Sequence, residues 1–316
     1  MRPEFVEQFC LSRLLEARNE DGGWGFKVAS RSRAEPTSWA LLSLLNCGSA
    51  PVHEEAASRA ADFLGSMQLP DGSWPSSPGV PEGSWVTSLV CLALQDLNKF
   101  SENVSRGLNW LCSDLPGDSR LFRRLIRRLV VRDTVATQND AYYGWSWTPG
   151  TSSWVEPTSY ALLLMQRIPA AALSDTARRR RRLGAAMLVD RMCPGGGWNC
   201  GNPMVYGAPG QPLVGPTVWA LLALKDQAEQ PQVHESLNWL AENSKSILSP
   251  SLRLGSLALT LLALSAYGRL DTGLTEALYM ASERDGAIWT APELAWAALA
   301  LSTKENWLGR KRDGDR

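Results

Sequence analysis

Several common functional signatures are missing from this chain. Of its 316 residues only two are histidine, His53 and His234. Each falls just before or within the first turn of a predicted helix, which places it at a rim or in solvent rather than in a metal centre. No stretch of about 18 consecutive apolar residues occurs, so no segment reads as membrane-spanning. Charges interrupt the N-terminal MRPEFVEQFCLSRLLEARNE where a signal peptide carries its apolar core. An excess of one charge is also missing, since 32 Lys and Arg face 32 Asp and Glu, and this removes any whole-chain electrostatic case for nucleic acid or acidic substrates. The six cysteines form no framework. Cys10, Cys47, Cys91 and Cys112 lie in or at the ends of helix-like segments, where a free thiol behaves as a small hydrophobe. Cys193 and Cys200 flank a glycine turn with no second pair, which supports neither a disulfide scaffold nor a zinc knuckle. The expected compartment is a reducing cytoplasm.

What the chain does have is an internal repeat. Gly-rich or Pro-rich turns carrying a Trp recur as EDGGWGF (20–26), LPDGSWP (69–75), YYGWSWTPG (142–150), CPGGGWNCG (193–201) and RDGAIWTAP (284–292). Trp24 to Trp74 spans 50 positions, Trp147 to Trp198 spans 51, and two units share the 91 positions from Trp198 to Trp289. A period of this length marks stacked or ring-closed helical units. Apolar runs, Ala- and Leu-rich and starting at Pro or Ser/Thr, begin at Pro36, Ser84, Pro157, Pro216, Leu254 and Pro292; helices apolar all round are buried on every side. Between them lie amphipathic segments such as 53–68, 102–115, 174–192, 233–244 and 272–284, with Ala57, Ala61, Leu64 and Met67 on one face of the first. Six alternations of buried and amphipathic helix are satisfied by an all-α double ring, an (α/α)6 toroid formed as one domain over residues 1–303, with 304–316 expected as a disordered tail. An open superhelix needs polar caps that neither end unit has. The Asp-Gly turns at Asp21, Asp71 and Asp285 read as scaffold.

FLGSMQLPDGSW (63–74) resembles the QW motif of squalene and oxidosqualene cyclases, with Phe63, Leu64, Gln68, Gly72 and Trp74 in the family's places. LLEARNEDGGWGF (14–26) and LVDRMCPGGGWNCGNP (188–203) are similar without the Gln, and PTVWALLAL (216–224) also resembles the inner-helix signature of those cyclases and of protein prenyltransferase β subunits. The resemblance covers residues 5 to 302 and implies an α/α toroid whose central apolar cavity holds an isoprenoid. In that family the Trp and Gln tie outer helices to neighbouring turns. The family's acid signature, Asp-x-Asp-Asp, is missing, as are the Asp-Asp motifs of ionisation-dependent terpene synthases and the Asp, Cys and His zinc set of prenyltransferases. The expectation is therefore no metal and no cofactor.

In register, Trp39, Leu89, Tyr160, Trp219, Leu259 and Trp296 stand at one level of the ring. Facing inward they form an aromatic collar for an isoprenoid and its carbocation; facing outward they are core. Glu35, Glu82, Glu156 and Glu293 stand beside inner-helix starts and gather at one mouth, where the helix dipole favours carboxylates, so capping and acid chemistry both fit. The segment 138–160 adds Asp140, Tyr142, Tyr143, Trp145, Trp147 and Trp154 around Glu156, aromatic surroundings that can raise a carboxyl's pKa. Asp140 or Glu156 is the expected general acid, with Glu35 next. The other candidates, Trp39, Tyr142, Trp145, Trp147, Trp154, Tyr160, Trp219 and Trp296, are the expected ligand contacts.

Two basic segments remain. Residues 120–133 carry Arg120, Arg123, Arg124, Arg127 and Arg128 on one helical side, the pattern of an interfacial helix on a cytoplasmic leaflet or of the third unit's outer helix. The arginines of 178–182 read as a solvated face. The functional expectation is an isoprenoid-binding, cyclase-like protein working by acid-initiated cyclisation. A non-catalytic toroid binding a lipid or protein is the first alternative. Prenyl transfer to a small acceptor, with Arg132 and Arg253 as the nearest cations, is the second.

Overall fold

The computed structural model describes residues 4–119, 138–139, 141–244, 254–283 and 289–302. Among them are twelve helices in alternating outer and inner positions. The outer ones are α1, a π-helical turn Phe5–Leu11 running into Ser12–Glu16, then α3 (Pro51–Ser66), α5 (Ser101–Ser113), α7 (Asp175–Asp190), α9 (Pro231–Ser244) and α11 (Thr272–Ser282). The inner ones are α2 (Ala34–Cys47), α4 (Val86–Leu94), α6 (Val155–Gln166), α8 (Val214–Ala223), α10 (Leu254–Ala266) and α12 (Ala291–Leu301). Each inner helix packs on the next, and α12 returns to α2, closing the ring. The third unit's outer place is taken by Ser101–Ser113; the basic segment 120–133 lies outside the described residues, as do Asp285, Arg132, Arg253 and the tail 304–316. No helix of the described residues is long and apolar enough to cross a membrane.

The inner helices are buried along almost their whole length, as their Ala and Leu content dictates. A recurring clamp attaches the turns of the first four units to their inner helices. The backbone N–H of Trp24, Trp74, Trp145 and Trp198 donates to the Oγ1 of Thr37, Thr87, Thr158 and Thr217, each at 2.9 Å. The indole N–H of the same tryptophans donates to the carbonyls of Leu14, Leu64, Leu111 and Leu188. Units five and six have Leu257 and Leu294 at the Thr position. The clamp tryptophan of unit three is therefore Trp145, not Trp147. Gln68 adds a tie between units, its amide donating to Gly72 O and Asn103 O at 2.9 Å.

Gly22, Gly72 and Gly196 occupy one turn position with φ of 87°, 93° and 95°. A Cβ at these three sites would fall 2.8–2.9 Å from the carbonyl oxygens of Arg59, Arg106 and Glu235 on the next outer helix. Backbone conformation and space both require glycine there. Asp21 and Asp71 accept from the turn amides of Gly23 and Ser73, as scaffold. A second stitch runs between units: the N–H of Ala34 donates to Ser76 O, Trp85 to Trp147 O, Val155 to Cys200 O and, across the seam, Ala291 to Phe26 O.

One clamp prediction follows. Trp198→Phe leaves the Leu188 carbonyl without its indole donor in a fully buried site and should cost about 1–3 kcal/mol, read by denaturant unfolding; an unchanged midpoint would show that the indole bond contributes nothing.

Two surface expectations are corrected. Arg180 is buried, at 2% exposure, because its guanidinium inserts under the unit-three turn. It donates to Gly144 O at 2.9 Å and lies 4.3 Å from the Trp145 ring. His53 is buried too, its Nδ1 accepting from the amides of Ser49 and Ala50 at the start of α3, whereas His234 is exposed.

Candidate functional site

The aromatic level faces the ring axis. Trp39 stacks on Trp219 at 5.0 Å, Tyr160 lies 5.0 Å from Trp219 and 6.1 Å from Trp39, and Trp296 meets both tryptophans edge-on at 5.9 Å. With exposures of 0% for Trp39, 2% for Trp219 and 3% for Tyr160, these rings fill the axis rather than line an open central cavity. They form a floor. Trp85, not among the residues expected from sequence, stacks on Tyr160 at 5.1 Å and meets Trp147 edge-on at 5.0 Å.

One helical turn above the floor, on the same face, the inner helices present Glu35, Trp85, Glu156, Gly215, Gly255 and Pro292. This is the mouth. Glu35 and Glu156 are only partly exposed, and among the described residues neither carboxyl has a hydrogen-bond or ion-pair partner. Lost hydration with nothing to replace it favours the neutral acid. Burial, then the charge of Glu156, lifts Glu35 to about 7, with Arg33 pulling weakly the other way; burial alone lifts Glu156 to about 7. Burial, then both carboxyls, holds the Tyr160 hydroxyl protonated well above its ordinary range. The three groups therefore form one electrostatic cluster over the aromatic floor, with protons available near neutrality.

The remaining candidates separate. Glu293 is a cap: its carboxylate accepts from Thr290 N and Oγ1 and from Gly255 N, at 2.8, 2.9 and 3.0 Å. Glu82 is exposed. Trp145 serves the clamp and the Arg180 contact, and Trp154 pairs with it backbone to backbone just before α6. Tyr142 sits at the surface, 36% exposed. Asp140 lies outside the described residues. Among the described residues no three His, Cys, Asp or Glu side chains converge as a metal-binding group. A surface groove of about 890 Å³ between the first two units, beside Arg59, Phe63, Met67 and Val80, has neither carboxyl in its lining.

No protein family's sequence profile matches the chain. Among solved structures it is similar to type II terpene cyclase MstE from Scytonema, at 18% identity over 88% of this chain and 77% of that one, TM-score 0.58. It is also similar to cellobiose 2-epimerase from Spirochaeta thermophila, at 11% identity over 94% of each chain, TM-score 0.63. An α-amylase from Clostridium perfringens matches at 10% identity over 96% of this chain and 98% of that one, TM-score 0.60. A variant of MstE is held in complex with geranylgeranyl dihydroxybenzoate as substrate. At these identities the likeness concerns architecture, and it agrees with the closed double ring described above: the chain is an α/α toroid, with the fold that type II terpene cyclase shares with cellobiose 2-epimerase.

Proposed function

We propose that the protein binds an apolar, unsaturated small molecule, an isoprenoid chain or its end, at the mouth of the ring, and that the Glu35 and Glu156 pair supplies the proton that starts its isomerisation or cyclisation. The observation that carries this reading is a pair of enclosed carboxyls without hydrogen-bond partners among the described residues, lifted to about 7, above a floor of aromatic rings. A neutral carboxylic acid over π faces suits alkene protonation. The acid's proton adds to one alkene carbon and leaves a cation on the other; a neighbouring double bond closes onto it, and loss of a proton or addition of water discharges the final cation. The acid regains its proton from solvent. The partly exposed rings of Trp85, Trp147 and Trp296 flank the chain and stabilise the cation by about 1–2 kcal/mol per contact when dry, while the buried Trp39, Tyr160 and Trp219 hold the floor beneath them.

The isoprenoid ligand of MstE supports the same class of ligand here. Cytoplasmic residence, with peripheral contact to a lipid leaflet through residues 120–133, belongs to the proposal. A specific observation favours a second reading: the axis is filled by the protein's own rings, as expected of a non-catalytic toroid that uses its rim to bind a lipid or protein. The two readings differ at the carboxyls.

The test is purification from a host that makes squalene and polyprenyl diphosphates, solvent extraction, and gas chromatography. A cyclised hydrocarbon or alcohol is expected with the wild type and should fall at least about 100-fold in Glu156→Gln. Unchanged linear isoprenoid in both extracts would establish a carrier, and an empty extract would favour the protein-binding toroid.

A further inference from the structure

Around the mouth layer the occupants differ, and the difference leaves one gap. Glu35, Trp85, Glu156 and Pro292 fill four positions with their own side chains. At Gly255 the space is taken by a neighbour, because a Cβ there would fall 2.7 Å from the Glu293 carboxylate that accepts from its amide. Among the described residues Gly215 has no such occupant. Beyond its own helix, the one atom of the described residues that a Cβ on Gly215 would find within 4 Å is Oε1 of Glu156, at 3.7 Å. Directly below, one turn along α8, lies Trp219, stacked in the aromatic floor. Among the described residues, therefore, the gap has an unpartnered carboxyl on one wall, an indole as its base and open space in place of a side chain. Glu35, by contrast, is carried by α2, three inner helices round the ring from α8, and no atom of it lies within 4 Å of a Cβ at Gly215.

We propose that Gly215 is the specificity-determining position of the mouth: the space it leaves open receives the unsaturated end of an apolar chain and brings it against Glu156 rather than Glu35. This rests on the function proposed above and deepens it. The preference is for a slender, methyl-branched end, because the space is that of a missing side chain and its base is an indole. A β-carbon alone fits at ordinary contact distance, so Gly215→Ala narrows the gap, whereas Gly215→Leu fills it.

The experiment uses the full chain and geranylgeraniol as probe, followed by quenching of intrinsic tryptophan fluorescence, with thermal melts as the folding control. Wild type is expected to bind, Gly215→Ala to bind within about threefold of it, and Gly215→Leu to bind at least about tenfold more weakly with an unchanged melt. Equal binding by wild type and Gly215→Leu overturns the role of Gly215 while leaving the mouth as a ligand site. Absence of binding by the wild type overturns the functional reading together with this inference. A second readout needs no ligand: in carbon-detected titrations of the glutamate carboxyls, Gly215→Leu excludes water from beside Glu156 and shifts its midpoint upward more than that of Glu35. If neither midpoint moves, the gap does not adjoin Glu156 and the assignment is wrong.

Discussion

Replacing both mouth carboxyls, as Glu35→Gln with Glu156→Gln, should flatten the dependence of stability on pH and strengthen the fold in alkaline solution. In the folded protein both groups are lifted from 4.5 to about 7, so between those values the folded chain holds more protons than the unfolded one. Stability then falls as pH rises. It is undiminished below about 4.5 and the loss is complete once pH has passed about 7, where two enclosed carboxylates ionise without donors. Each tenfold change in proton affinity corresponds to about 1.4 kcal/mol. The groups keep partial contact with water, so the pair together should change stability on the order of 3 kcal/mol across the window. Denaturant midpoints measured through the window give the slope directly, and comparing slopes avoids the unrelated cost of fitting an amide into the site. The single variant Glu156→Gln should also lower the Glu35 midpoint, since the neighbouring charge that raises it is gone. Parallel profiles for wild type and double variant would mean that the carboxyls are solvated, and the acid chemistry would lose its basis.

Trp219→Ala should be among the most destabilising single substitutions in the molecule. Its ring touches Trp39, Tyr160 and Trp296 at once, so truncation takes the hub out of the floor. Core Trp to Ala changes cost about 3–5 kcal/mol, more where the surroundings cannot collapse. Collapse is resisted here because six helices braced against one another in a closed ring cannot approach the axis individually. The void should persist, apolar and indole-shaped, and added indole should restore part of the lost melting temperature as apolar guests do in engineered cavities. Tyr142→Ala is the contrast: at 36% exposure it should shift stability by no more than about 0.5 kcal/mol. Similar losses for the two variants would show that the floor is not a packed unit.

The ring itself was legible in the sequence because each inner run is apolar all round and each outer segment is amphipathic, a contrast that few other arrangements satisfy. The level shared by Trp39, Tyr160, Trp219 and Trp296 followed from aligning those runs. Its direction did not, since a helix buried on every side has no preferred face in its composition. Glu35 and Glu156 stood out by their place before PTSW and PTSY, but capping also explained them; what separates them from Glu293 is that, among the described residues, Glu293 finds three donors and they find none. The clamp role of Trp145 was legible and missed. Its spacing of thirteen to Thr158 repeats that of Trp24 to Thr37 and Trp74 to Thr87, while the hairpin Met204–Pro209 stretches the fourth interval to nineteen and hides the rule. The burial of Arg180 had no local signal, because five consecutive arginines conceal which one turns inward. Gly215 could be found only after the ring was closed, since its meaning lies in what adjoining helices carry at the same height.

The stitch that runs from the starts of α2, α4 and α6 to the next turn recurs at the seam, where Ala291 donates to Phe26. An open array of repeats frays from its terminal units, which have one neighbour each, and its middle outlasts its ends. Here every unit has two neighbours, so releasing any one exposes two interfaces together and no unit is cheaper to lose for being last. Partial melting is thereby suppressed: slowly exchanging amides of all six inner helices should share a single opening free energy, that of the whole ring.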